Sequence, residues 1–388
     1  MNISNINLLL IACVVAIISR RTKVPYTVGL VLTGLLLAYL GADASTHLSH
    51  ELIFHLLLPP LIFEAAFQLK WKELKSVMVP TLLLATVGVA FAAAATAGII
   101  YSVSGLSLTA ALTIGIVLSA TDPVSVLALL KEAKLPPRIH KLLESESLFN
   151  DGTASILFAL LPPILAGTLS PAGIATTSLI AIAGGIVVGA LVGIAVLIIA
   201  GRTTEHVVEI AMTIVAAYAS FYIAESFHAS GILSTLSAGM VLANLDRNGA
   251  LSEKGLETAH SFWEFACFVA NSFIFILIGI DLDLFNLPGT VWITMITIIA
   301  MLIGRALCVY LGGVALSTTR HRVPLLVQHL LVWGGLRGAL SIALALSLPT
   351  SIAERGIIIT VVFHAVVFSI IVQGLTVAPL ISRVKKSV

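Results

Sequence analysis

Residues 142–165 read LLESESLFNDGTASILFALLPPIL, and within this apolar stretch stand Glu144, Glu146 and Asp151. A helix that crosses a bilayer needs about 20 mostly apolar residues. This stretch is long enough, yet three carboxylates in it are costly in lipid, so they mark a pairing between helices or a working site. Glu144, Ser147 and Asp151 are spaced three and four apart and share one helical face. Glu146 and Asn150 form an adjacent row, four apart. Such a polar ladder cannot face lipid, so other helices must surround it.

The rest of the chain supplies those helices. Of 388 residues, 59% are hydrophobic and only 10% are charged, against about a quarter charged in soluble proteins. Mean hydropathy is +1.09. The net charge of +2 is small, and no basic tract or zinc spacing points to nucleic acid. Cys13, Cys267 and Cys308 lie far apart in apolar segments and read as packing residues. The apolar segment 6–19 runs into Arg20, Arg21 and Lys23 without a small-residue cleavage site, so it reads as a first helix, not a leader.

Thirteen spans are expected: 6–19, 25–41, 51–69, 77–103, 108–130, 142–165, 173–200, 205–225, 229–245, 262–282, 290–316, 324–348 and 357–381. With the N-terminus outside, all of the 21 Lys and Arg except Arg305, Arg337 and Arg355 fall in cytoplasmic loops or the C-terminal tail. That is the positive-inside pattern, and one helix more or fewer would scramble it. The C-terminus is then cytoplasmic and short, with no regulatory domain expected after residue 388. The fold class is an all-α polytopic membrane protein.

Six spans precede the seventh and six follow it, which makes the two sets inverted. Each has a disrupted fifth helix: Thr121-Asp122-Pro123 in the first, Gly334-Gly335-Leu336-Arg337-Gly338 in the second. Pro123 removes a backbone donor and clashes with the preceding turn. Broken helices at matching places in inverted sets point to an ion site at the membrane midplane.

The ionisable residues within spans are Glu64, Asp122, Glu144, Glu146, Asp151, Glu225, Glu264, Arg305 and Arg337. Glu225 and Glu264 lie near span ends and are weak candidates. Asp122, Glu144, Glu146 and Asp151 outnumber the two arginines, so at least one carboxylate should be free for a proton or a metal ion. Asp151 is the strongest candidate; Glu144 or Glu146 suits a structural pair with an arginine. Thr121 can offer its carbonyl or hydroxyl oxygen to a bare cation where the helix unwinds. Asp122 is either a helix-end cap or a direct ligand. Arg337 would neutralise the opposite, negative helix end. Glu64 follows the Pro59-Pro60 break and is either an ion-path group or a buried protonated acid. His329 and His364 read as packed polar groups.

Ala-Thr-Asp-Pro-Val at 120–124, Glu-Ser-Leu-Phe-Asn-Asp-Gly at 146–152 and Gly-Gly-Leu-Arg-Gly-Ala at 334–339, in that order and spacing, resemble the NhaP-type sodium/proton antiporters of the monovalent cation:proton antiporter family. The likeness covers essentially the whole chain. It implies a homodimer in the lipid bilayer of a prokaryotic plasma membrane. It implies a core domain of about 77–165 and 290–381 that moves, and a dimerisation domain of about 6–69 and 173–282 with Glu64 at the interface. The ion site it implies is Asp151 with Ser147 and the Thr121 carbonyl, with Asp122 and Glu64 reached directly or through water and Asn150 positioning the site. One glutamate of 144–146 would pair with Arg305, where electrogenic relatives keep a lysine.

The expected activity is alternating-access exchange of sodium, or lithium, for protons, with no cofactor. One carboxylate holds a proton or a sodium ion, not both. Electrogenic relatives have Asp-Asp where this chain has Asn150-Asp151, so one-for-one, electroneutral exchange is expected. The alternatives are a potassium/proton exchanger on the same scaffold and a channel-like pathway. No Ser/His pair or His-Glu-x-x-His pattern within a span favours a membrane enzyme.

Overall fold

In lipid every backbone N–H and C=O must find its partner within the protein, which leaves helices as the spanning form for these apolar segments. A computed structural model describes residues 2–22, 24–122, 124–203, 205–245, 251–282 and 287–387. Lys23 and Pro123, named above, lie outside them. The helices are α1 (Asn5–Thr22), α2 (Tyr26–Tyr39), α3 (Leu58–Phe67), α4 (Trp71–Leu83), α5 (Val89–Ser104), α6 (Leu108–Val117), α7 (Val124–Ala133), α8 (Pro137–Leu165) and α9 (Pro171–Ala200). They continue as α10 (His206–Ser226), α11 (Gly231–Leu245), α12 (Glu253–Ile280), α13 (Leu287–Ala315), α14 (Leu325–Gly334), α15 (Ala339–Leu346), α16 (Arg355–Phe368), α17 (Gly374–Thr376) and α18 (Ala378–Ser387). Wide π-type turns at Leu52–Leu57, Leu84–Gly88 and Ser369–Gln373 lead into α3, α5 and α17. Extended pairing among the described residues is confined to Asn2–Ile3 against Asp43–Ala44 and a single bridge between Asp122 and Leu336.

Among the described residues, eight helical stretches are long and apolar enough to cross a membrane. Shorter apolar helices include Tyr26–Tyr39, Leu52–Phe67, Leu108–Val117, Gly231–Leu245 and Leu325–Gly334. Two of the short ones, α6 and α14, stop inside expected spans, and their partners α7 and α15 resume after a few residues. The chain is therefore broken at both places where Asp or Gly-rich sequence interrupts an apolar run.

The chain forms two compact units: Met1–Phe54, Val77–Ala154 and Asn271–Val388 in one, His55–Ser76 and Ser155–Ala270 in the other. The first holds all four half-helices. Its core at one end joins Val126 and Leu130 of α7, Leu142 and Leu143 of α8, Leu330 and Leu331 of α14, and Ile381 and Val384 of α18. In the second unit, Phe63, Phe67 and Trp263 pack together, and the Trp263 indole donates to Thr213 Oγ1 at 3.0 Å. There Gly185, Gly189 and Gly193 repeat every four residues along α9 and seat it against α11; a Cβ on Gly189 would overlap the Ser234 backbone. Small residues at that spacing let membrane helices approach closely without an apolar driving force.

Candidate ion-binding site at two broken helices

An interrupted helix leaves carbonyls at one new end and N–H groups at the other without helical partners. In the first unit the two interruptions solve this for each other. The Asp122 N–H donates to Leu336 O at 2.7 Å, joining the break after α6 to the break after α14. Asp122 Oδ1 accepts from the Val124 N–H at 2.9 Å, so this carboxylate caps the start of α7. That is the favoured place for a negative charge, at the positive end of a helix dipole. Gly338 allows this close approach, because a Cβ there would overlap the Asp122 carboxylate.

The two buried arginines do different work. Arg305, on α13, forms a two-pronged ion pair with Glu146, Nη1 to Oε1 at 2.7 Å and Nη2 to Oε2 at 3.0 Å. Both side chains are essentially sealed, at 4% and 2% exposed. Arg305 also donates to Leu331 O through Nε at 3.2 Å and Nη2 at 3.0 Å, which satisfies the last turn of α14. Arg337 donates through Nη1 to Ala120 O at 3.2 Å and Ser119 O at 3.5 Å, the carbonyls just past α6. Glu144 pairs with Lys141 at 3.0 Å on its own helix.

Around Thr121 the polar groups interlock. Asn150 Nδ2 donates to Thr121 Oγ1 at 2.5 Å and to Glu146 Oε1 at 3.3 Å, while Asn150 Oδ1 accepts from the Thr121 N–H at 3.2 Å. Ser147 Oγ donates to Thr121 O and lies 3.3 Å from Thr121 Oγ1. Thr121, Ser147 and Asn150 are all 3% exposed or less. A small cavity opens here, bordered by Thr121, Ser147, Glu146, Arg305 and Gly335. Asp151 follows Asn150 on α8 and is half-buried. Among the described residues its carboxylate has no hydrogen bond or ion pair, and the carboxylates of Asp122 and Glu146 both act on it electrostatically. The structure thus gathers Thr121, Asp122, Glu146, Ser147, Asn150, Arg305 and Arg337, and among the described residues it leaves the Asp151 carboxylate without a hydrogen-bonded partner. Hard oxygen donors beside a lone carboxylate suit an alkali cation or a proton.

A sodium/hydrogen exchanger family model, described as a transmembrane region, matches residues 9–383. The chain belongs to the sodium/hydrogen exchanger family. Among exchanger relatives, the Na(+)/H(+) antiporter ApNhaP of Aphanothece halophytica is 38% identical over 93% of this chain and 70% of its own. The Na(+)/H(+) antiporter NhaH of Halobacillus dabanensis is 32% identical over 97% of this chain and 96% of its own. The solved sodium proton antiporter MjNhaP1 of Methanocaldococcus jannaschii superposes with a TM-score of 0.79 at 19% identity, covering 97% of each chain, which shows the shared fold. Membership in this family of transporters agrees with a multi-pass membrane protein.

The other expected residues of this exchanger have contacts of their own. Glu64 belongs to the second unit, where Gln68 Nε2 donates to its carboxylate. Glu225 Oε1 caps α11 by accepting from the Gly231 N–H at 3.0 Å, and Glu264 is exposed. His329 Nδ1 meets Tyr310 Oη at 2.7 Å. Several polar residues that serve the crossing have no charge to flag them in the sequence. Ser341 Oγ donates to Val117 O at 2.8 Å, Ser369 Oγ accepts from the Arg337 N–H at 3.0 Å, and Gln373 Nε2 donates to Trp333 O at 3.1 Å. Their sequence signal is faint: a Ser or Gln inside an otherwise apolar span, opposite a predicted break.

Proposed function

We propose that this chain is a secondary antiporter that exchanges sodium for protons, with Asp151 binding one or the other in alternation. One observation carries the assignment: among the site's carboxylates, Asp151 alone has no hydrogen-bonded partner among the described residues. Thr121 and Ser147 oxygens complete the cation's surroundings, and Asn150 holds Thr121 in place. A lone carboxylate that must give up its proton to take sodium ties the two fluxes together. Relatives whose names state sodium/proton antiport, at 38% and 32% identity over almost the whole chain, support the choice of substrates.

The finer picture follows the same logic. In this reading the chain has thirteen spans, its N-terminus outside and its C-terminus cytoplasmic, with the crossing at the midplane of a prokaryotic plasma membrane. The six-helix sets are inverted, and the core of about 77–165 and 290–381 moves against a dimerisation domain of about 6–69 and 173–282 in a homodimer. Asn150 is neutral, Glu146 is paired with Arg305 and Asp122 is held as the cap of α7, so Asp151 is the group left to exchange ions, and exchange is one proton for one sodium. Purified protein in liposomes, with an inward sodium gradient and an internal pH dye, tests this. Proton efflux is expected to be the same at clamped potentials of either sign. A rate that follows the potential overturns the one-for-one stoichiometry, and no sodium-driven efflux at all overturns the function.

A further inference from the structure

Arg305, Arg337 and Arg355 are the three basic residues outside the expected cytoplasmic loops, and beyond the Glu146 pair of Arg305 they share one kind of contact. Each donates to carbonyls at the C-terminal end of a half-helix. Arg305 serves α14 and Arg337 serves α6, both at the crossing. Arg355 serves the far end of α15, donating through Nε to Leu348 O at 2.8 Å and through Nη2 to Leu346 O at 3.3 Å. The residue before it does the converse. Glu354 accepts from the Ser107 N–H at 3.1 Å and from Ser107 Oγ. Ser107 is the N-cap of α6, its Oγ accepting from the Ala110 N–H at 3.2 Å. Consecutive residues thus set a negative charge at the positive end of α6 and a positive charge at the negative end of α15, the favourable arrangement for both dipoles.

These two half-helices end at the site. Thr121 and Asp122 follow α6, and Gly338, which faces the Asp122 carboxylate, precedes α15. Their inner ends are joined by the Asp122–Leu336 bridge and the Ser341–Val117 hydrogen bond. Their outer ends are joined through Glu354 and Arg355, which are half-buried.

We propose that Glu354 and Arg355 are positioning residues for ion exchange: a two-residue clasp that holds α6 and α15 in register from the outer end, so the oxygens at the crossing keep the spacing a cation needs. This rests on the reading of the chain as a sodium/proton exchanger. Sub-ångström placement of ligands decides binding at such sites.

The test compares Arg355→Ala, Glu354→Ala, Arg355→Lys and Glu354→Gln with wild type in proteoliposomes. The readouts are the apparent KM for sodium and the maximal rate per folded protein, with hydrogen exchange of residues 108–117 and 339–346 in purified protein. The alanine variants are expected to raise the KM on the order of tenfold while the maximal rate stays within about twofold. The Lys and Gln variants are expected to recover part of the loss. Hydrogen exchange should quicken at the outer turns of α6 and α15 and stay unchanged in α9 and α11. An unchanged KM overturns the proposal, and so does a drop in folded protein with a normal KM in what remains. If wild type moves no protons in response to sodium, the functional reading is what fails; unchanged protection of α6 and α15 in the alanine variants then overturns the clasp on its own.

Discussion

Glu146→Gln should destabilise this protein far more than Glu144→Gln, although the two residues stand two apart on one helix. Glu146 makes a two-pronged pair with Arg305 at 2.7 and 3.0 Å, with both side chains almost wholly buried. Removing one partner of such a pair leaves an uncompensated buried charge and costs about 3–5 kcal/mol. That is roughly two to nearly four powers of ten in the folded-to-unfolded ratio. Glu144 pairs with Lys141 three residues away, with 15% and 18% of the side chains exposed. A pair of that kind, within reach of water, is worth about 1 kcal/mol or less. Thermal unfolding in detergent, followed by fluorescence-detected size exclusion, should show a large loss for Glu146→Gln and a small one for Glu144→Gln. Replacing both Glu146 and Arg305 with Leu and Met should recover part of the loss, because no charge is then stranded. Recovery should be incomplete, because Leu331 O loses both of its arginine donors. Equal stability of the two Gln variants, or greater damage from Glu144→Gln, would refute this reasoning.

Three further outcomes are expected. Gly189→Ala should lower the melting temperature clearly, because its Cβ would overlap backbone atoms of Ser234, whereas Gly98→Ala, with nothing within 4 Å, should not. Gly338→Ala should abolish sodium-dependent proton movement in liposomes by driving the Asp122 carboxylate from its cap on α7; normal transport would contradict that. Asn150→Asp should unfold at lower temperature, because it removes the donor to Thr121 Oγ1 and sets a second carboxylate against Glu146; an unchanged melt would count against the network.

Much of this architecture was legible in hydropathy and in two breakers. Thr121-Asp122 and Gly334-Gly335-Leu336-Arg337-Gly338 interrupt apolar runs, and the helices stop there because neither stretch continues a buried hydrogen-bond ladder without help. The polar ladder on α8 was legible from spacing alone. The partner of Arg305 was not: Glu144 and Glu146 lie on neighbouring rows of one helix, and the choice depends on where α13 packs, a contact 159 residues away in sequence. Counting carboxylates against arginines picked out Asp151, yet the actual pairings differ from that count. Arg337 serves carbonyls, and Lys141 from the helix start takes Glu144. Ser341, Ser369 and Gln373 were silent because single hydroxyls and amides inside a span carry no periodic signal. The role of Arg355 was equally hidden, since a cap is visible only once the end of α15 is placed beside it.

On the proposal above, the Asp151 carboxylate, without a hydrogen-bonded partner among the described residues, carries either the proton or the sodium ion. Asp151→Asn, purified as folded protein and reconstituted beside wild type, tests it most directly through sodium-gradient-driven proton flux. The expected result is wild-type melting behaviour, since no partner among the described residues is lost, together with complete loss of flux. Flux that persists in the Asn variant would place the ion-carrying group elsewhere and contradict the account.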